Sequence, residues 1–209
     1  GGTVDGVIYG NGKFVTINGV YSFYSEDGIN WNKHEIFNDF QKADFYIGIS
    51  FGGGKFVTIG ESTGRVLYST DGISWEEAPK TTLRGVRNIA YGAGKFVATV
   101  FGTESNICSV DGINWEPVNI PGGDFNDVSF GYGGFVAVGV DHTAPRKGAI
   151  AYSKDGINWH AVNNPPPFHL SMVAYGNGRF AAISSDAFNK DKAVYSGIIG
   201  DGQGTPGHG

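Results

Sequence analysis

The sequence is short of the residues on which many other fold classes depend. Its 209 residues hold one cysteine, Cys108, which excludes an internal disulfide framework and a cysteine-based zinc site. Charged residues make up only 17%, against the usual ~25% of globular chains. Twenty acids against fifteen bases leave a formal charge of −5, so nucleic acid and anionic membranes are poor partners. No apolar run is long enough to span a bilayer, and membrane insertion is not expected. The opening residues GGTVDGVIYG lack the layout of a signal peptide, and there is no Asn-x-Ser/Thr sequon. No segment sustains a helical period.

Glycine and aromatic residues are abundant. Glycine supplies 35 residues and aromatics 14% of the chain. That much glycine argues against a helical bundle, where it is costly, and that many aromatics argue against disorder. Together they point to many short strands joined by tight turns.

Internal repetition organises these residues. Five segments share one turn: Tyr9-Gly-Asn-Gly-Lys-Phe14, Phe51-Gly-Gly-Gly-Lys-Phe56, Tyr91-Gly-Ala-Gly-Lys-Phe96, Phe130-Gly-Tyr-Gly-Gly-Phe135 and Tyr175-Gly-Asn-Gly-Arg-Phe180. The closing Phe recurs at steps of 42, 40, 39 and 45 residues. Four segments share a second turn: Ser25-Glu-Asp-Gly-Ile-Asn-Trp31, Ser69-Thr-Asp-Gly-Ile-Ser-Trp75, Ser109-Val-Asp-Gly-Ile-Asn-Trp115 and Ser153-Lys-Asp-Gly-Ile-Asn-Trp159. They use all four tryptophans.

Each repeat reads as four strands, A to D. Gly-x-Gly supplies the positive φ angles of an A–B hairpin, and Asp-Gly turns C into D. Repeats of about 40 residues with four strands each predict an all-β fold, a five-bladed β-propeller of four-stranded antiparallel blades. The expected domain is residues 1–200, with blades at about 5–38, 45–79, 85–120, 125–163 and 168–200. In the fifth repeat Gly197-Ile-Ile-Gly200 replaces the Asp-Gly turn that should follow Ala193-Val-Tyr-Ser196, and no tryptophan follows, so the last blade is expected to be incomplete or irregular. Residues 201–209 read as a flexible tail.

The Ser-x-Asp-Gly-x-x-Trp turns resemble a shortened form of the Asp-box repeat of sialidase-superfamily propellers. With Tyr-Gly-x-Gly-Lys-Phe beside them, the repeats resemble those of bacteriophage tail receptor-binding and bacterial surface proteins. The resemblance covers about residues 5–196. It implies that the box is structural, and the physics agrees: Asp27, Asp71, Asp111 and Asp155 can accept hydrogen bonds from turn amides, while Trp31, Trp75, Trp115 and Trp159 pack the blade edge. It also implies an extracellular or virion-surface location, a host-surface glycan or other surface polymer as partner, and a homotrimer through a parent fibre. The sequence contains no coiled coil or β-helical stalk to support a trimer.

Catalysis is not expected. A sialidase needs an arginine cluster, a Tyr–Glu pair and an acid. Here Arg179 occupies the Lys13 position of its repeat, and Arg65, Arg84, Arg87 and Arg146 map onto no such cluster. Glycosidase chemistry by two carboxylates ranks behind binding and behind a purely structural platform role. The histidines show no ligand spacing, and neither metal nor cofactor is expected. Cys108 stands where the other repeats have tyrosine, and reads as a packing residue. The Gly-x-Gly segments lie between strands with no helix to receive phosphate, so they are hairpins and not nucleotide loops.

Alternating strands place the repeated A–B and C–D turns on one rim and the varied B–C and D–A connections on the other. Loop diversity on a regular scaffold suits recognition, although varied loops can also be merely unconstrained. The candidate ligand-binding residues are Tyr21, Asp39, Arg65, Phe101, Glu104, Asp141, His142, Arg146, His169, Phe188 and Asn189. Rings beside planar polar groups suit sugars, and each ring could instead cap the core. The negative charge favours a neutral or cationic ligand over a polyanion.

Overall fold

A computed structural model describes residues 6–37, 44–79, 84–102, 105–143, 147–185 and 192–195. Asp39, Glu104, Arg146, Phe188, Asn189 and the tail 201–209 lie outside the described residues. The chain forms five antiparallel sheets in sequence order, each a simple up-and-down meander. Blade one holds β1 (Ile8–Gly10), β2 (Lys13–Asn18), β3 (Tyr21–Ser25) and β4 (Asn32–Glu35). Blade two holds β5 (Tyr46–Gly52), β6 (Lys55–Gly60), β7 (Val66–Ser69) and β8 (Glu76–Glu77). Blade three holds β9 (Val86–Gly92), β10 (Lys95–Val100), β11 (Asn106–Ser109) and β12 (Glu116–Val118). Blade four holds β13 (Asp124–Gly131), β14 (Gly134–Asp141), β15 (Lys147–Ser153) and β16 (Trp159–Ala161). Blade five has three strands among the described residues, β17 (Met172–Gly176), β18 (Arg179–Ile183) and β19 (Ala193–Tyr195). The fold is a five-bladed β-propeller whose last blade is incomplete, with three strands among the described residues.

The A–B hairpins are two-residue turns with positive φ at both central positions: Asn11 and Gly12, Gly53 and Gly54, Ala93 and Gly94, Tyr132 and Gly133, Asn177 and Gly178. This is the left-handed pair whose twist matches antiparallel strands. Glycine and asparagine adopt it readily, whereas Ala93 and Tyr132 hold it against their Cβ.

The glycine that precedes each turn has a different task. A Cβ on Gly10 would fall inside the ring of Phe51, one on Gly52 inside Tyr91, one on Gly92 inside Phe130, and one on Gly131 inside Tyr175. Each of the first four inner strands therefore ends on a bare Cα that receives the aromatic ring of the next blade. The same ring packs on the hairpin Phe of its own blade, with centroids 4.8, 4.6, 4.6, 4.8 and 4.9 Å apart from blade one to blade five.

The Asp-Gly turns repeat one hydrogen-bond pattern. In blade four, Asp155 Oδ1 accepts from the Ile157 and Asn158 amides at 2.9 and 2.8 Å, and the Ser153 hydroxyl donates to it at 3.0 Å. Ser153 Oγ in turn accepts from the Gly156 amide at 2.9 Å. Asp27, Asp71 and Asp111 do the same in their own turns.

The tryptophan that follows wedges between its own blade and the preceding one. Trp75 belongs to an apolar cluster that includes Ile17 of blade one, Trp115 to one that includes Val57 of blade two and Trp159 to one that includes Val97 of blade three. Trp31 stands in blade one, the first in chain order. It is 44% exposed, against 8% for Trp159, and is the exception to the expectation that all four rings pack a blade edge.

Two stability outcomes follow from this geometry. Trp159→Ala is expected to cost about 3–5 kcal/mol in urea unfolding, and Trp31→Ala less than about 1 kcal/mol; equal costs would contradict the wedge. Ala93→Gly is expected to stabilise by up to about 1 kcal/mol, because relief of the left-handed strain exceeds the entropy that glycine adds to the unfolded chain. A loss of stability in that variant would mean the turn is not strained.

Candidate functional site

The B–C and D–A connections gather on the rim opposite the hairpins. In blades two and three they are tied into one surface. Glu61 N donates to Phe45 O, Gly85 N to Glu61 O and Phe101 N to Gly85 O, each at 2.8 Å. A chain of main-chain bonds thus runs across two blades, with a large ring at each end. Phe45 is 63% exposed and Phe101 41%. Between them Arg87 Nη1 meets Glu61 Oε1 at 3.2 Å, and the Arg87 guanidinium lies 4.8 Å from the centre of the Phe101 ring.

Local sequence explains why these groups meet. β9 carries a bulge: Asn88 pairs with Thr99 and Val86 with Val100, which leaves Arg87 as the extra residue. A bulge re-aims the side chain it inserts, here toward Glu61 and Phe101. Gly85, with φ +74°, lets the backbone approach Phe101 O, which a Cβ would meet at 3.1 Å. Below the ridge, buried Asp44 anchors the loop. Its carboxylate accepts from the amides of Phe45 (2.8 Å), Ser62 (3.2 Å) and Thr63 (3.0 Å), and from the Thr63 hydroxyl.

The other residues expected from sequence are spread over separate blades. Tyr21, in blade one, is half-buried beneath Lys33 Nζ, which sits 3.5 Å from its ring centre. Arg65 is held by Glu77 at 2.9 Å and lies 5.5 Å from the Phe37 ring centre. Burial pushes the phenol of Tyr46 up to about 12. Asp141 accepts from the Thr143 amide at 2.9 Å and meets Lys147 at 3.5 Å. The Thr143 amide, with its side chain, holds the Asp141 carboxyl below its ordinary range. His142 pairs with Asp124 at 2.9 Å. His169 is half-buried between the core residues Phe168 and Leu170. Of the described candidates, Phe101 is the one in the two-blade ridge.

Sequence reasoning missed Glu61, Arg87 and Asp44. It also missed an inner polar relay. Asn88 donates to Asp127, and Asp127 accepts from the Val128 amide at 2.8 Å and from the Val173 amide of the next blade at 2.6 Å. Burial pushes the Asp127 carboxyl up. A signal existed: the position four before the hairpin glycine is Gly6, Gly48, Asn88, Asp127 and Met172 in turn, a polar pair at neighbouring places. Cys108 is half-buried against the core of blades three and four, and burial pushes its thiol up. No cluster of three or more His, Cys, Asp or Glu suited to a metal occurs among the described residues.

The turn carboxylates are also shifted. The Asn30 and Ile29 amides, then the side chains of Asn30 and Ser25, hold Asp27 well below the carboxylate range. The Asn158 and Ile157 amides do so for Asp155. At Asp111 burial pushes upward, but the hydrogen bonds from Asn114, Ile113 and Ser109 outweigh it.

No protein-family model matches the chain, and no curated protein does. Solved structures do match in shape. The chain is 18% identical to Ycf48, solved bound to a D1 peptide, over 98% of this chain and 66% of that one, with TM-score 0.69. It is 12% identical to a chain of a nidogen/laminin complex, over 100% of this chain and 81% of that one, with TM-score 0.66. It is also 12% identical to virginiamycin B lyase from Staphylococcus aureus, over 98% of this chain and 69% of that one, with TM-score 0.73. The chain thus spans about two thirds of the length of Ycf48 and of the lyase. At these identities the likeness establishes the β-propeller fold alone.

Because the folded carboxyls of Asp27, Asp111 and Asp155 titrate below their unfolded values, their turns add stability that is present above about pH 4 and lost as pH falls further. Thermal unfolding is expected to show Tm dropping steeply below about pH 4, and more gently once these three are Asn. Identical acid profiles for the two proteins would contradict the assignment.

Proposed function

We propose that the protein is a non-catalytic recognition module that holds a neutral or cationic surface glycan against the Phe45–Phe101 ridge. The observation that carries the reading is the ridge itself: two exposed rings on adjoining blades, fixed by main-chain bonds, with an arginine–glutamate pair between them. Exposed rings stack on the C–H faces of sugars, and planar charged groups satisfy hydroxyls. Prior fixing of the rings lowers the ordering cost of binding. The −5 charge disfavours polyanions, so hexosamines or amine-bearing glycans fit better than sialic acid. The turn aspartates are engaged by their own backbone, which suits a scaffold role and not catalysis. Such a module acts outside a cell or on a virion surface.

A glycan array with the purified chain tests this directly. Phe45→Ala and Phe101→Ala are expected to lower binding at least about tenfold, while Lys154→Ala, on the hairpin rim, leaves it unchanged. A silent array, or ridge variants that bind like the parent, would reject the reading. Competition by peptides in place of sugars would replace the ligand class.

A further inference from the structure

We propose that the uncovered faces at the two ends of the blade series form a docking surface for another blade of this same repeat, joined in tandem. Four blade-to-blade interfaces follow one rule, a bare glycine receiving the next blade's ring. The two ends hold the unmatched halves of a fifth such contact. Gly176 has nothing within 4 Å of where its Cβ would stand, and Tyr9 is 58% exposed.

The rest of each end face agrees. Met172 and Ala174 share the face of Gly176, and Ile183 and Ala181 are their cross-strand partners. All five are exposed. Of their counterparts in blade four, Asp127, Gly131, Val138 and Val136 are buried and Ser129 is half-buried. β18 therefore alternates exposed and buried, where β14 is buried on both sides. At the other end Gly28 meets only its own Phe14, whereas Gly72, Gly112 and Gly156 each also meet a valine of the preceding blade. Trp31 and Ile29 stay exposed beside it.

A tandem blade is the occupant that fits both halves. It brings a ring for Gly176, a glycine for Tyr9 and a valine for Gly28, at the spacing already used four times.

Met172 is the only methionine and reports on the surface. Two further copies of repeat 84–123, which contains no methionine, are fused after residue 209 of the full chain. Peroxide oxidation of Met172, followed by peptide mass, is expected to slow at least about tenfold relative to the parent. Gly176→Leu is expected to leave the parent's Tm and oxidation rate unchanged and to abolish the protection in the extended chain. Equal oxidation rates in parent and extended chains would overturn the proposal. So would a parent that sediments as a dimer with Met172 already protected, which would assign the surface to a second copy. Protection that survives Gly176→Leu would overturn the ring-on-glycine basis.

Discussion

The packing of an aromatic ring on a bare Cα holds the blades to one another. A ring can lie flat against the end of an inner strand only if that residue has no side chain, because a Cβ would occupy the ring itself. Each ring is also pinned from behind by the hairpin Phe of its own blade, under 5 Å away between centroids. The contact thus couples a local hairpin to its neighbour, and repeating it builds the series. Close packing of this kind tolerates no extra methyl, which explains why glycine stands at this place in the first four repeats.

The second turn solves a complementary problem at the outer part of the blade. There the chain must reverse with few neighbours to satisfy its amides. The Asp and Ser side chains do so within the turn, and the glycine that follows lets Val15, Val57 or Val97 of the preceding blade approach. The tryptophan then covers the seam. Blade one shows the dependence by contrast: its turn keeps all its local bonds, yet its ring stands in solvent because the seam is missing.

The ridge combines one recurrent irregularity of the inner strands with two features particular to these loops. It needs a bulge at Arg87, a left-handed Gly85 and a buried Asp44 that folds a connection back on itself. The bulge recurs at the same place in blades two and four, whereas Gly85 and Asp44 have no counterpart in the other repeats. Phe101 was legible as a candidate because it is an aromatic residue in a varied loop. Glu61 and Arg87 were not, because a lone charge in a strand or loop is usually solvated and nothing local ties one to the other. Arg65, Asp141 and His142, which look equally promising in sequence, are engaged within their own blades.

Period and turn chemistry are local properties, so the amino-acid sequence by itself determined the five blades, the hairpin and Asp-Gly turns, and the incomplete last blade. Left-handed glycines and Asx-type bonds act over a few residues, and no distant partner is required to read them. Only the tertiary structure decided which glycines serve turns and which serve as seats for rings, which tryptophans are buried, and which loop residues meet. Those outcomes depend on the blade next door, about 40 residues away in sequence, and on whether such a blade is present.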